Sequence, residues 1–178
     1  MADNFVLLND KDIERIIKRI SHEIIERNRG SENLVFIGIH KRGVPLAERI
    51  AANIAEMENK VIKTGKLDIS FYRDDTIKRL KPAVAITDIP FNIDNTNVIL
   101  VDDVLFTGRT IRSALNALMD FGRPGSIQLV VLIDRGHREL PVRADYVGKN
   151  IPTALNESIE VRLYETDKKD MVTINVKR

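Results

Sequence analysis

The chain has 178 residues, of which 43% are hydrophobic and 30% charged, with 9 Gly and 6 Pro. That is the size and composition of one globular domain, 1–178, able to bury a core without covalent staples. There is no Cys and no Trp, and 28 Lys and Arg against 26 Asp and Glu leave a net charge of +2. Disulfides, zinc–thiolate sites and cysteine nucleophiles are excluded, a reducing cytoplasm is the expected setting, and any basic face must come from local arrangement.

In chain order, Asn9 or Asp10 caps a helix beginning near Lys11, and Ile13, Ile16, Ile17, Ile20 and Ile24 recur at helical spacing. Gly30 stops it. Leu34 to Ile39 is an apolar run of strand length, and Gly43 to Glu56 reads as a helix with Leu46, Ile50 and Ile54 inward. Val61-Ile62 and Leu67 to Tyr72 are expected to be strands. Residues 74–96 have weak periodicity and read as a long functional connection, with a hairpin strand expected around Val84 to Ile86. Val98 to Val101 is a continuous apolar run, as in a strand covered on both faces. A helix follows from Arg109 to Phe121, with Ile111, Leu115 and Leu118 inward, and Gly122-Arg123-Pro124-Gly125 ends it. Ile127 to Ile133, Asp145 to Val147, Ile159 to Leu163 and Val172 to Val176 complete the strands. Strands alternating with helices over the first 135 residues indicate an α/β fold, a mostly parallel sheet flanked by helices.

The most informative segment is Val98 to Thr110. Four apolar residues end in Asp102-Asp103, and Thr107-Gly108-Arg109-Thr110 opens a helix. Ligands of open α/β sheets bind at the carboxyl ends of strands. Two carboxylates there can accept hydrogen bonds from the vicinal hydroxyls of a sugar. Free N–H groups at the next helix N-terminus suit a phosphate. A diol site beside a monophosphate site describes ribose 5-phosphate. The competing readings are a plain acidic loop cap, or the acidic strand end of a nucleoside triphosphatase. The latter needs a Gly-x-x-x-x-Gly-Lys-Ser/Thr loop, which the sequence lacks.

Val98 to Thr110 resembles the phosphoribosyl pyrophosphate loop of type I phosphoribosyltransferases. Asp134-Arg135-Gly136-His137-Arg138-Glu139-Leu140-Pro141, with Arg143 to Thr153 behind it, is similar to the bacterial pyrimidine operon attenuation regulators, the PyrR family. Tyr72-Arg73-Asp74-Asp75 and His22-Glu23 fit as well, so the resemblance covers nearly the whole chain. It implies a type I phosphoribosyltransferase fold with a small base-binding hood. It also implies catalysis of uracil plus phosphoribosyl pyrophosphate to UMP plus pyrophosphate with Mg²⁺, and regulation of pyrimidine genes through UMP-dependent binding to a leader mRNA stem-loop. A salvage transferase for another base, without RNA binding, is the alternative.

By that resemblance Asp102, Asp103 and Arg42 are catalytic, and Asp102 and Asp103 meet the metal through the ribose. Val104, Leu105, Phe106, Thr107, Gly108, Arg109 and Thr110 hold the ribose phosphate. Lys41 and Arg42, in His40-Lys41-Arg42-Gly43, hold pyrophosphate, with Lys41 standing where the family carries Thr. The competing reading of this turn is a solvated basic loop. Arg73, Asp74 and Asp75 lead into a loop that closes over substrate. Arg135, Arg138, Tyr146, Val147 and Val161 are implied at the base, although Tyr146 reads equally well as core.

On the first helix Arg15, Arg19 and His22 share a face away from the isoleucines. Alone this is a solvated helix face. The resemblance makes Arg19 and His22, with Arg138, Arg143 and Lys149, the RNA-binding surface of a homodimer or higher homo-oligomer, with Arg27 as a weaker candidate. Phosphates would supply the affinity and unpaired bases the sequence choice.

Overall fold

The isoleucine stripe does what its spacing demands. In the computed structural model, which describes residues 3–70 and 86–176, α1 (Asp10–Asn28) buries Ile13, Ile17, Ile20 and Ile24. Its first turn is closed by a reciprocal capping box: the Asn9 side chain accepts from the Asp12 N–H, and Asp12 accepts from the Asn9 N–H. The apolar runs become β2 (Leu34–Ile39), β4 (Asn97–Leu105) and β5 (Ser126–Asp134), the helical stretches become α2 (Gly43–Glu58) and α3 (Arg109–Met119).

Five strands form one sheet in the order β3-β2-β4-β5-β6, where β3 is Lys63–Leu67 and β6 is Tyr146–Asn150. Every pairing is parallel: Gly38 opposes Val101, Val101 opposes Val130, and Val130 opposes Tyr146. Val98 to Val101 are fully buried because both faces are covered. Ile99 and Val101 face α1 and α2; Val98 and Leu100 face α3. The α/β reading holds.

A second sheet, β1-β8-β7, is antiparallel and is built from β1 (Asp3–Leu8), β7 (Glu157–Arg162) and β8 (Met171–Val176), with the short α4 (Tyr164–Asp167) between the last two. Val161, Leu163 and Val172 join the same apolar cluster as Ile99 and Val101, so this small hood shares the main core.

Several sequence expectations need correction. Val61-Ile62 is not a strand, and Val61 is 95% exposed. The strand lies later, at β3, where Lys63, Thr64 and Lys66 alternate with buried Gly65 and Leu67. An edge strand with one wet face carries no apolar run to betray it. Of Leu67 to Tyr72, only Leu67 is in a strand, and 71–72 lie outside the described residues. The hairpin expected at Val84 to Ile86 also falls largely outside them; the nearest pairing is an isolated bridge between Lys66 and Asp88. α3 ends at Met119 rather than Phe121. β1 and α4 were not expected, because β1 finds its partner only at the far end of the chain.

The order β3-β2-β4-β5-β6 reverses direction between β2 and β4, so the ligand crevice of such a sheet opens there. The two strands and α2 meet closely. A Cβ on Gly43 would stand 2.2 Å from the Val101 carbonyl oxygen. Gly43→Ala is therefore expected to destabilise the protein by about 2–3 kcal/mol through overpacking. Urea unfolding reads this as a lower midpoint at unchanged slope.

Candidate active site

Two helices begin at the switch point. α2 starts directly beyond β2, and α3 starts directly beyond β4. Unlike α1, neither N-terminus has a side-chain cap or an acidic residue in its first turn. Their dipoles, and first-turn N–H groups that lack an intrahelical partner, make this end of the sheet attractive to anions; at α3 the Arg109 N–H meets the Thr107 hydroxyl at 3.4 Å. Gly108, the residue before α3, sits at φ +92°, a conformation that favours glycine.

The structure places Asp102, Asp103 and the 104–110 turn together at the end of β4. Asp102 is buried; one of its oxygens accepts the Asp103 N–H, and Asp103 in turn accepts the Val104 N–H. Burial pushes the Asp103 carboxyl above its ordinary 3.8, partly offset by the Val104 N–H and the nearby Arg42 cation. An incoming positive charge would therefore relieve a standing electrostatic cost.

The turn is held from behind by the 134–142 segment. The Thr107 carbonyl accepts N–H bonds from Glu139 and Leu140. Arg109 donates to Glu139 at 2.7 Å. Arg138 donates to the carbonyls of Phe106 at 2.8 Å and Val142 at 2.9 Å, and to the Asp134 carboxylate at 2.5 Å. The half-buried Arg138 guanidinium, implied by the resemblance both at the base and on the RNA surface, thus braces the 104–110 turn.

Among the residues expected at a base, Arg135 lies 3.9 Å above the Phe106 ring and donates to Thr153 and to the Glu157 carbonyl. Burial lowers its pKa. Tyr146 is corrected to a core residue. It is 3% exposed, and its hydroxyl reaches back toward the amino ends of the strands, donating to Gln128 at 2.6 Å. Val161 is likewise buried in the core, whereas Val147 is half-buried on the α3 side of the sheet. Arg73, Asp74 and Asp75 lie outside the described residues.

On the β2 side, Lys41 is exposed and Arg42 half-buried. The Arg42 guanidinium grips Asp167 of α4 through Nε and Nη2, at 3.1 and 3.0 Å. That hydrogen bonding holds the Asp167 carboxyl down at about 2 and raises the Arg42 pKa. The pairing contributes stability above the ordinary 3.8 that is lost as pH falls through about 2. Asp167 was missed because 125 residues separate it from Arg42.

Of the cations expected on a basic face, Arg19 donates to Glu23 and to the carbonyls of Val147 and Gly148, which ties α1 to β6. Arg27 pairs with Asp145. His22, Arg143 and Lys149 are exposed.

Because burial disfavours the Asp103 carboxylate, the folded state holds that proton more tightly than the unfolded chain. Its contribution to stability is then lost as pH rises from 3.8 through the raised folded value. Asp103→Asn is accordingly expected to raise Tm at pH 7 by a few degrees, checked by calorimetry at pH 7 and again at pH 4, where the gain should shrink.

A family model described as the phosphoribosyl transferase domain matches residues 6–166. The chain is 56% identical over 174 residues to the bifunctional protein PyrR of Deinococcus deserti, covering 97% of this chain and 95% of that one. It is 56% identical over 177 residues to the bifunctional protein PyrR of Bacillus cereus, with 98% of each chain covered. In fold it superposes on a hypoxanthine phosphoribosyltransferase of Trypanosoma cruzi with a TM-score of 0.72 at 20% identity, covering 97% of both chains. The family model and the sequence identity over almost the full length agree: the chain belongs to the phosphoribosyl transferase domain family and, within it, to the bifunctional PyrR proteins.

Proposed function

We infer that the protein converts uracil and phosphoribosyl pyrophosphate to UMP and pyrophosphate, and regulates pyrimidine genes by UMP-dependent binding to leader mRNA. The observation that carries this is the 56% identity to bifunctional PyrR proteins over the whole chain, with the acid pair and both open helix ends intact.

In the reaction a ring nitrogen of uracil bonds to the ribose C1 carbon, the bond from that carbon to pyrophosphate breaks, and the N–H proton is released. Positive charge grows on the ribose and negative charge on the departing group. Little covalent chemistry is asked of the protein, so positioning and fixed charge do the work. Asp102 and Asp103 hold the ribose hydroxyls close to the developing cation. The 107–110 turn holds the 5-phosphate on the α3 N-terminus. Lys41, Arg42 and the α2 N-terminus hold pyrophosphate. Arg135, bonded to the Glu157 carbonyl of the hood, lies where the base binds, with Val147 on the strand beside it.

Magnesium fits this donor set. Two adjacent carboxylates are present, and no cluster of three or more His, Cys, Asp or Glu occurs among the described residues. Mg²⁺ takes one or two carboxylates and fills its shell with water and substrate oxygens. When bound, it would offset charge on the departing pyrophosphate.

For RNA, the exposed cations lie along one edge. β6 is the outer strand of the sheet, with Arg143 before it and Lys149 near its end. α1 packs beside β6 and carries His22 on its exposed side. A homodimer would present two such edges to a stem-loop. With no Cys and no apolar membrane-length helix among the described residues, the cytoplasm suits such a regulator.

Incubation with labelled uracil, phosphoribosyl pyrophosphate and Mg²⁺ is expected to yield UMP, with Asp103→Asn slowing turnover about a hundredfold. Turnover of hypoxanthine in place of uracil would overturn the base assignment. Filter binding of leader RNA should tighten with UMP. Arg143→Ala and Lys149→Ala should each lower the salt slope of binding by about one, and unchanged slopes in both would remove this edge as the RNA surface.

A further inference from the structure

α2 and the hood are joined at two points by arginines two helical turns apart. Arg49 grips Glu165 and Asp170, each through two hydrogen bonds of 2.7 or 2.8 Å. Asp170 also accepts the Tyr164 N–H at 2.7 Å. This fixes α4 as a strap across the start of α2. At the end of the strap Asp167 meets Arg42, and the same carboxylate accepts the Leu163 N–H at 3.1 Å. Asp167 is therefore held independently of Arg42.

The edge of the guanidinium that Asp167 uses is decisive. Its two oxygens take Nε–H and one Nη2–H, the side of the fork. A guanidinium carries five N–H donors. The end of the fork, both Nη1–H and the second Nη2–H, stays outside this grip. That end matches the spacing of two phosphate oxygens. Arg42 also stands at the unblocked N-terminus of α2, within electrostatic reach of Asp103 and Glu160.

We propose that Asp167 is the positioning residue that presents the open end of the Arg42 fork to the pyrophosphate of the substrate. This rests on the assignment of the 40–43 turn to pyrophosphate. Arginine otherwise samples many rotamers, and a ligand that must order it loses affinity. With the side edge already held, the substrate meets a fixed pair of donors. UMP has no pyrophosphate and makes no use of this device.

The test is isothermal titration of the full chain at constant Mg²⁺ with inorganic pyrophosphate and, separately, with UMP. Asp167→Asn is expected to weaken pyrophosphate about tenfold, the loss of one charge-assisted hydrogen bond, and to leave UMP affinity unchanged. Asp167→Glu keeps the charge but shifts the fork by a methylene, so it should also weaken pyrophosphate and spare UMP. Unchanged or tighter pyrophosphate binding in both variants overturns the proposal, since Asp167 would then be a bystander or a competitor. Equal losses for pyrophosphate and UMP overturn it as well, because a general structural role produces that pattern. Arg42→Ala separates the two readings. If it leaves pyrophosphate affinity intact, the assignment of the 40–43 turn fails; if it weakens pyrophosphate while the Asp167 variants do not, only the positioning role fails.

Discussion

The parallel pairing of β2 with β4, close enough that the Val101 carbonyl lies against the first residue of α2, is the contact on which the site depends. It brings together two strand ends that are some sixty residues apart in the chain. Each strand is followed at once by a helix whose N-terminus carries no acidic residue in its first turn. Two positive helix ends then stand side by side, with a pair of carboxylates between them. A substrate carrying a phosphate, a diol and a pyrophosphate is matched by that alternation of charge.

Arginines do most of the bracing around this centre, and they do it from inside. Arg138 holds the back of the phosphate turn through three carbonyls and a carboxylate. Arg135 stacks on Phe106 and ties the end of β5 to the segment before β7. Arg42 and Arg49 fasten the hood to α2. Such half-buried, multiply bonded cations cost more to disturb than surface ion pairs, because each removal strands a carbonyl or a carboxylate. Arg42 differs from the others in keeping the end of its fork outside its grip on Asp167.

The same reasoning sorts the basic face. Arg19 and Arg27 face outward by helical phase, yet both are tied to β6 or to the loop before it. They fasten α1 over the edge of the sheet. His22, Arg143 and Lys149 remain on the exposed side of that seam. Fastening α1 to β6 also links the helix to the strand that ends beside Asp134.

Local chemistry was legible without coordinates. The isoleucine spacing fixed α1, the run into Asp102-Asp103 marked a strand end, and Thr107 to Thr110 marked a helix start, because each depends on residues within a few positions of one another. What the linear order does not carry is which cation meets which anion. Arg138 and Asp134 are four apart and could have been paired by eye, but Arg42 and Asp167 are joined only by the return of the hood over α2. Tyr146 reads equally as core and as ligand contact until the sheet register turns its hydroxyl toward Gln128, and β1 has no meaning until β8 comes back to pair with it. Periodicity and turn chemistry belong to the sequence; the partner of each charged group is chosen by tertiary packing, which sets how deeply a charge is buried and who is near enough to neutralise it.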